Sequence, residues 1–353
     1  MTKKINVLIV DDSLVIRKRV EGVLNKTDDI SVVGEAVNGK EAIEKAQLMN
    51  PDVVLMDLMM PVMSGVAAIE YLMENYPLPI VVHSPADNKR ELYKTWDALS
   101  AGALARIDKN VDEEDPIKWE KDLLRTLRAA SRIKVIRKRK KMFIYDHNQR
   151  VNMIQAQSNN RYNIVVIGAS TGGPGVIANI LKGLPSNFPI PILLVIHIGS
   201  TSSLTFADWL GSNCSLKVSF ASNGELITNE KGRVFIAPYD KHMIVEGQKI
   251  KLIDTPHVNF CRPSVDVMFN SVADNLSLKP MGLLLTGMGQ DGAMGLKNIK
   301  DKGGYTICQD EVTSVVFGMA QAAITLGAVD VVLPDHLISE KIMSLINWEL
   351  KGN

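Results

Sequence analysis

Residues 163–173 read Asn163-Ile164-Val165-Val166-Ile167-Gly168-Ala169-Ser170-Thr171-Gly172-Gly173, an apolar run ending in a tight, glycine-flanked turn that carries a serine. The pattern predicts a strand passing directly into a helix, with the Ser170 hydroxyl lifted above the sheet edge. Small neighbours at Gly168, Gly172 and Gly173 let backbone amides and a substrate come close to it. Outward from this turn, Ile192 to Ile196, Val218 to Phe220, Val234 to Ile236, Gly282 to Leu285, Tyr305 to Cys308 and Val331 to Leu333 also read as strands, with helical segments between most of them. Glu246-Gly247-Gln248, between Met243 to Val245 and Lys249 to Ile253, predicts one hairpin inserted in an otherwise mostly parallel, doubly wound α/β domain over residues 161–353.

Toward the N-terminus a second alternation runs through Ile5 to Val10, Ile30 to Val37, Val53 to Met56, Ile80 to Val82 and Ala103 to Ile107, the pattern of a five-stranded parallel (βα)5 domain over residues 1–128. Between the two lies a segment, 129–160, in which seven of the ten residues from Arg132 to Lys141 are Lys or Arg and Asn and Gln crowd the remainder. Its polarity predicts a solvated interdomain linker. The chain of 353 residues is 46% apolar and 22% charged, as globular protein is, and its net charge of +1 gives no global field for nucleic acid or membrane. The N-terminal apolar run is too short for a signal peptide or a membrane span, which predicts a cytoplasmic location. Cys214, Cys261 and Cys308 are odd in number and scattered, and read as reduced, buried thiols rather than a disulfide or zinc set.

In the first domain Asp11 and Asp12 follow the first strand and Asp57 follows the third, which gathers three carboxylates above the carboxyl ends of neighbouring strands. Such a cluster calls for a cation, and Mg²⁺, with its preference for oxygen ligands and phosphate, suits phosphoryl chemistry with Asp57 as acceptor. Ser84 after the fourth strand can hydrogen-bond a phosphoryl group, and Lys109 after the fifth can pair with it. The set resembles the receiver domain of bacterial response regulators. Asn110, where receivers carry proline, and Arg106, where an aromatic or apolar switch residue is common, depart from that pattern.

In the second domain a Rossmann fingerprint would need glycine where Ser170 stands and a P-loop would need lysine where Pro174 stands, so a nucleophile is the better reading of the turn. A serine nucleophile needs a base and a group to orient it. His197 closes the strand expected beside that of Ser170, and Asp291 follows another strand on a glycine-rich turn that opens a helix, where a simple N-cap is its alternative role. Asp330 with His336, Asp240 with His242, and Asp254 with His257 offer other combinations, and spacing alone does not select among them.

With a receiver followed by Gly168-Ala-Ser-Thr-Gly-Gly-Pro-Gly175, Ile236-Ala-Pro-Tyr-Asp-Lys-His242, Arg262-Pro-Ser-Val-Asp266-Val-Met-Phe269, Leu285-Thr-Gly-Met-Gly-Gln-Asp-Gly-Ala293 and Gln309-Asp-Glu-Val-Thr-Ser-Val-Val-Phe-Gly-Met319, the whole chain resembles the chemotaxis response regulators that are protein-glutamate methylesterases, the CheB family. The resemblance implies that Ser170 is the nucleophile, His197 the general base and acid, and Asp291 the residue that orients the imidazole. Backbone amides near the serine and at Met288 are the implied oxyanion donors, with Thr171 in support. It further implies demethylation of glutamate methyl esters on membrane-bound chemoreceptors with release of methanol, deamidation of receptor glutamine, and phosphorylation of Asp57 by a histidine kinase, with Mg²⁺ needed for phosphorylation and no cofactor for the esterase. Gln-His-Met-Pro of the family is here Ile196-His197-Ile198-Gly199, and Gly-Met-Pro is Gly318-Met319-Ala320, so the loop bordering the substrate cleft is altered. A non-catalytic adaptor that binds receptors is the competing reading. A DNA-binding regulator has only the basic linker in its favour, with no recognisable helix-turn-helix.

Overall fold

The computed structural model describes residues 4–85, 88–110, 116–135, 162–227 and 231–346, with the backbone alone at Pro116 and residues 200–204. The chain separates into two compact units, Met1–Lys140 and Lys141–Asn353. Most of the basic segment expected to be a linker lies outside the described residues.

The first unit alternates β1 (Ile5–Val10), α1 (Leu14–Leu24), β2 (Ile30–Ala36), α2 (Gly39–Met49), β3 (Val53–Met56), α3 (Gly65–Asn75), β4 (Ile80–His83), α4 (Lys89–Ala101), β5 (Ala105–Ile107) and α5 (Pro116–Ala130). All its strand pairs are parallel, in the order β2-β1-β3-β4-β5. The order reverses between β1 and β3, so the crevice for a ligand opens where Asp11, Asp12 and Asp57 leave the sheet. Four helices start on side-chain caps, Ser13, Asn38, Ser64 and Asn88, each accepting from an amide of the first turn. Strand β5 begins two residues later than the apolar run predicts, because Ala103 is still tied to Ala98 at the end of α4, past the left-handed Gly102.

The second unit contains β6 (Ile164–Ala169), α6 (Gly173–Lys182), β7 (Ile192–Ile196), α7 (Ser200–Ser212), β8 (Lys217–Phe220), β9 (Arg233–Ile236), β10 (His242–Glu246), β11 (Lys249–Ile253), α8 (Val265–Ala273), β12 (Pro280–Leu284), α9 (Ala293–Asp301), β13 (Tyr305–Gln309), α10 (Met319–Thr325), β14 (Val331–Leu333) and α11 (Asp335–Leu345). Seven parallel strands lie in the order β14-β13-β12-β6-β7-β9-β8, and β10 with β11 form the separate antiparallel hairpin. The three central strands, β12, β6 and β7, are buried along their whole length, which is why they read as unbroken apolar runs. From β6 the chain winds to one side through β7 and to the other through β12. The switch point therefore falls at the carboxyl end of β6, where Ser170 stands. All three cysteines are free thiols, but only Cys308 is buried. Cys214 and Cys261 are half-buried, which corrects the expectation of three buried thiols.

Gly65 holds the turn after Asp57 closed, its amide donating to Leu58 O at 3.1 Å, and an added Cβ would stand 1.9 Å from Asp57 O. The substitution Gly65→Ala is expected to cost about 1–3 kcal/mol as an overpacked position, read as a lower urea midpoint for the full chain.

Candidate active site

Strand register brings the serine and histidine together. Ala169 pairs with Ile196 in the parallel ladder of β6 and β7, so Ser170 and His197 are the next residues off adjacent strand ends, and the His197 amide donates to Ala169 O at 3.1 Å. The turn from Ser170 to Gly173 closes through Gly173 N to Ser170 O at 2.8 Å with Gly172 at φ 80, ψ −10, the position of a type II turn that demands glycine. A side chain at 172 would also strike Val315 Cβ at 2.6 Å. On the other flank Ser170 N donates to Thr286 O at 3.0 Å, and Gly287 passes so close that a Cβ there would lie 2.8 Å from that of Ser170. Among the described residues, the N–H groups of Thr171 and Met288 donate to no backbone carbonyl, which leaves two amides beside the serine able to meet a developing oxyanion. The Thr171 carbonyl lies 2.9 Å from the Thr286 hydroxyl, which is itself locked by Val316 N at 3.0 Å.

Asp291 does not cap the helix it precedes, whose N-cap is Gly292 with no side-chain bond. Its carboxylate instead faces the N-terminus of α8. Oδ1 accepts from Ser264 Oγ at 2.7 Å, Asp266 N at 3.2 Å and Asn259 Nδ2 at 3.2 Å; Oδ2 accepts from Val265 N at 2.7 Å and lies 2.9 Å from His197 Nε2. Burial pushes the Asp291 pKa up, but the bonds from His197, Ser264 and Val265 outweigh it and hold the carboxyl below its ordinary value. Burial likewise pulls the imidazole down, and the contacts with Asp291 and Cys261 override it, raising His197 to about 9. With Nε2 committed to Asp291, the nitrogen left to exchange protons is Nδ1.

The other carboxylate and imidazole combinations are not assembled. Asp330 holds Thr306 N and Lys300, while His336 lies beside Asp335. Asp240 pairs with Arg262, Asp254 with Lys241, and His242 bonds Pro256 O and Ser264 N. Three neighbours to which the sequence assigns no place in the site are Asn259, Cys261 and Ser264. The string Arg262-Pro-Ser-Val-Asp266 flagged the last as part of a motif, and only the fold reveals its bond to Asp291.

In the first unit, Lys109 Nζ lies 2.8 Å from both Asp11 Oδ2 and Asp57 Oδ2. Asp57 Oδ1 accepts from Leu58 N at 2.7 Å, and burial raises the Asp57 pKa against the opposing charge of Lys109. Ligand atoms of Asp11, Asp12 and Asp57 lie within 4.8 Å of one another. Three hard oxygen donors at this spacing fit Mg²⁺. Among the described residues the buried hydroxyl of Ser84 meets no hydrogen-bond partner. Behind it Arg106 is turned inward, its Nε donating to Ser84 O at 3.3 Å and its Nη2 pairing with Asp108. Asn110 uses an N–H that proline would lack, donating to Asp108 Oδ1 at 3.0 Å. His83, which burial lowers to about 3 and so keeps neutral, places Nδ1 4.0 Å from Asp11 Oδ2.

Ser264→Ala removes both the N-cap of α8 and a bond to Asp291 and is expected to cost about 1–3 kcal/mol. A carboxylate held below 3.8 stabilises the fold above that value and loses the contribution as pH falls through its native pKa, so the variant should also begin acid unfolding at higher pH than wild type.

The family description "CheB methylesterase" matches residues 165–342, and "Response regulator receiver domain" matches residues 7–118. The protein-glutamate methylesterase/protein-glutamine glutaminase 4 of Geobacter metallireducens is 37% identical over 347 residues, which is 97% of this chain and 99% of the relative. The corresponding protein of Nitrosospira multiformis is 38% identical over 349 residues, 97% of each chain. The crystal structure of the Thermotoga maritima CheB methylesterase catalytic domain, 38% identical, covers 53% of this chain and 99% of its own at a TM-score of 0.49. Matched along nearly its whole length, with a receiver sheet ahead of the sheet that carries Ser170, the chain belongs to the CheB methylesterase family.

Proposed function

We propose that this receiver-regulated protein-glutamate methylesterase and glutaminase works through Ser170 as nucleophile, His197 as base and Asp291 as the group that orients and charges the base. The observation that carries the reading is the convergence of three neighbouring strand ends, β6, β7 and β12, on an imidazole whose Nε2 lies 2.9 Å from a carboxylate fixed at a helix N-terminus. The Ser170 proton passes to Nδ1 as the oxygen attacks the ester carbonyl of a methylglutamate. The negative charge falls on the carbonyl oxygen, facing the Thr171 and Met288 amides. Collapse expels methanol, which takes the proton back from the imidazolium. Water then repeats the sequence on the acyl-enzyme and restores the serine. Receptor glutamine follows the same course with ammonia as leaving group. Loss of one oxyanion donor typically costs about 10²- to 10³-fold in rate.

The substrates in this reading are methylated chemoreceptors, reached from the cytoplasmic side. No described helix is long and apolar enough to cross a membrane. The phosphodonor is a histidine kinase and the acceptor Asp57. Mg²⁺ would be held by Asp11, Asp12 and Asp57 and would offset the charge of the incoming phosphoryl group. Lys109 would release one carboxylate to pair with that group, and Ser84 would donate its free hydroxyl. A phosphoryl group adds about −1.5 to −2 charges at this loop cluster, enough to bias a two-state element that restrains the esterase. The boundaries follow: receiver to residue 128, basic linker 129–160, catalytic domain from 161.

Methanol release from methyl-labelled receptor membranes tests the reading. Wild type should release methanol, Ser170→Ala should not, and a small phosphodonor with Mg²⁺ should stimulate wild type but not Asp57→Asn. Phosphorylation of Asp57 without methanol release under any condition would favour the adaptor. Because the base must be neutral to take the serine proton, the rate should climb with pH toward an inflection near the His197 value of about 9.

A further inference from the structure

The esterase chemistry uses one ring nitrogen of His197 for Asp291 and leaves one, and a second side chain already claims it. Cys261 Sγ lies 3.7 Å from His197 Nδ1 and 3.4 Å from Asn259 O. The thiol is delivered by a two-residue turn. Val258 and Cys261 exchange backbone bonds at 3.1 and 2.9 Å, and the residues between them, Asn259 at φ 51 and Phe260 at φ 63, are both left-handed. For phenylalanine that backbone is costly, and burial of its side chain offers no compensation, since Phe260 is 100% exposed. The strain is maintained by what flanks it. Asn259 Nδ2 bonds Asp266 Oδ2 at 2.7 Å and Asp291 Oδ1 at 3.2 Å, so the turn is clamped to the same carboxylate that holds the other side of the imidazole. The Ser170 hydroxyl, by contrast, makes no hydrogen bond to the imidazole among the described residues.

We infer that Cys261 is a positioning residue that restrains the resting esterase, its thiol occupying the His197 nitrogen that must accept the Ser170 proton. The inference rests on the Ser170, His197 and Asp291 reading above. The single lone pair of Nδ1 serves one partner at a time, so the serine is activated only when the sulfur lets go. The same contact helps raise the His197 pKa, after the bond from Asp291. The other titratable or charged groups around the pair are Asp291 on the far nitrogen, Asp266 and His242 beside Asp291, and Arg262 and His257 next to the turn. Of these, Arg262 is spent on Asp240.

The test compares full-length wild type with Cys261→Ser and Cys261→Ala by methanol release across pH, and by iodoacetamide labelling of each cysteine, which needs no turnover. Either substitution removes the sulfur contact that helps hold His197 above its ordinary value. The inflection should therefore drop by about half a unit or more in both variants, which makes them about threefold or more faster than wild type at neutral pH. Cys261 should label about tenfold or more faster than Cys214, whose thiol burial pushes up, and His197→Ala should abolish that lead while Ser170→Ala preserves it. Coincident pH profiles, a uniform rate change without displacement of the inflection, or Cys261 labelling that ignores His197 would overturn the inference. If Ser170→Ala still released methanol, the serine reading would fall, and the labelling comparison would still decide whether thiol and imidazole share a proton.

Discussion

Everything in the second unit's site depends on one buried carboxylate. Asp291 takes hydrogen bonds from Ser264, Val265, Asp266, Asn259 and His197, and so joins the loop after β12, the N-terminus of α8, the Asn259 turn and the end of β7. A buried negative charge is tolerated only when its lone pairs are met, and the helix N-terminus supplies both donors and a favourable dipole. The result is an anion that stays ionised while buried, fixed in direction, with one oxygen left to grip the imidazole. The fold does not merely place an acid near a base; it uses the acid to tie four chain segments to one point.

The receiver site works by opposite means. Two of its three carboxylates are held together by a cation the chain provides itself, Lys109, which lies equally close to Asp11 and Asp57. Ser84 illustrates the difference in state between the two sites. In the second unit the Asp291 carboxylate is met by five donors, whereas among the described residues the buried Ser84 hydroxyl is left without a partner and its carbonyl is held by Arg106. A rigid site suits chemistry that recurs without change, and an unsatisfied one suits a group that arrives and departs.

Most of the architecture was legible because parallel strands buried on both faces, such as Ile164–Ala169 and Ile192–Ile196, leave no polar residue to blur the pattern. Ser170 was legible for a local reason, the glycines around it, and the three receiver carboxylates for a topological one, their places after the first and third strands. The histidine and acid could be narrowed but not chosen from spacing, since their partnership is a contact across 94 residues of chain. The helix-cap reading of Asp291 failed in an instructive way: the carboxylate does meet a helix N-terminus, but that of Val265–Ala273 rather than of its own helix. Asn259 carried no signal, and Cys261 was legible only as a free thiol, not as a neighbour of His197. A turn with two left-handed residues is normally announced by glycine, and the sequence Asn-Phe conceals it.

The pairing of Ala169 with Ile196 and of Gly168 with Leu284 fixes more than proximity. Positions along such a ladder are discrete, about 3.3 Å apart along a strand and about 4.8 Å between strands, so Ser170 and His197 occupy nodes of a lattice rather than points on a continuum. Coarse adjustment of their separation is forbidden, because a slip by one residue would move every side chain of the strand to the opposite face of the sheet and break the packing on both. Variation among such enzymes is therefore confined to the loops that leave the carboxyl edge, and the altered Ile198-Gly199 stretch lies in one of them. Loops at the opposite edge of the sheet lie a full strand length from Ser170 and His197, so their length can vary without changing the register that sets those two side by side.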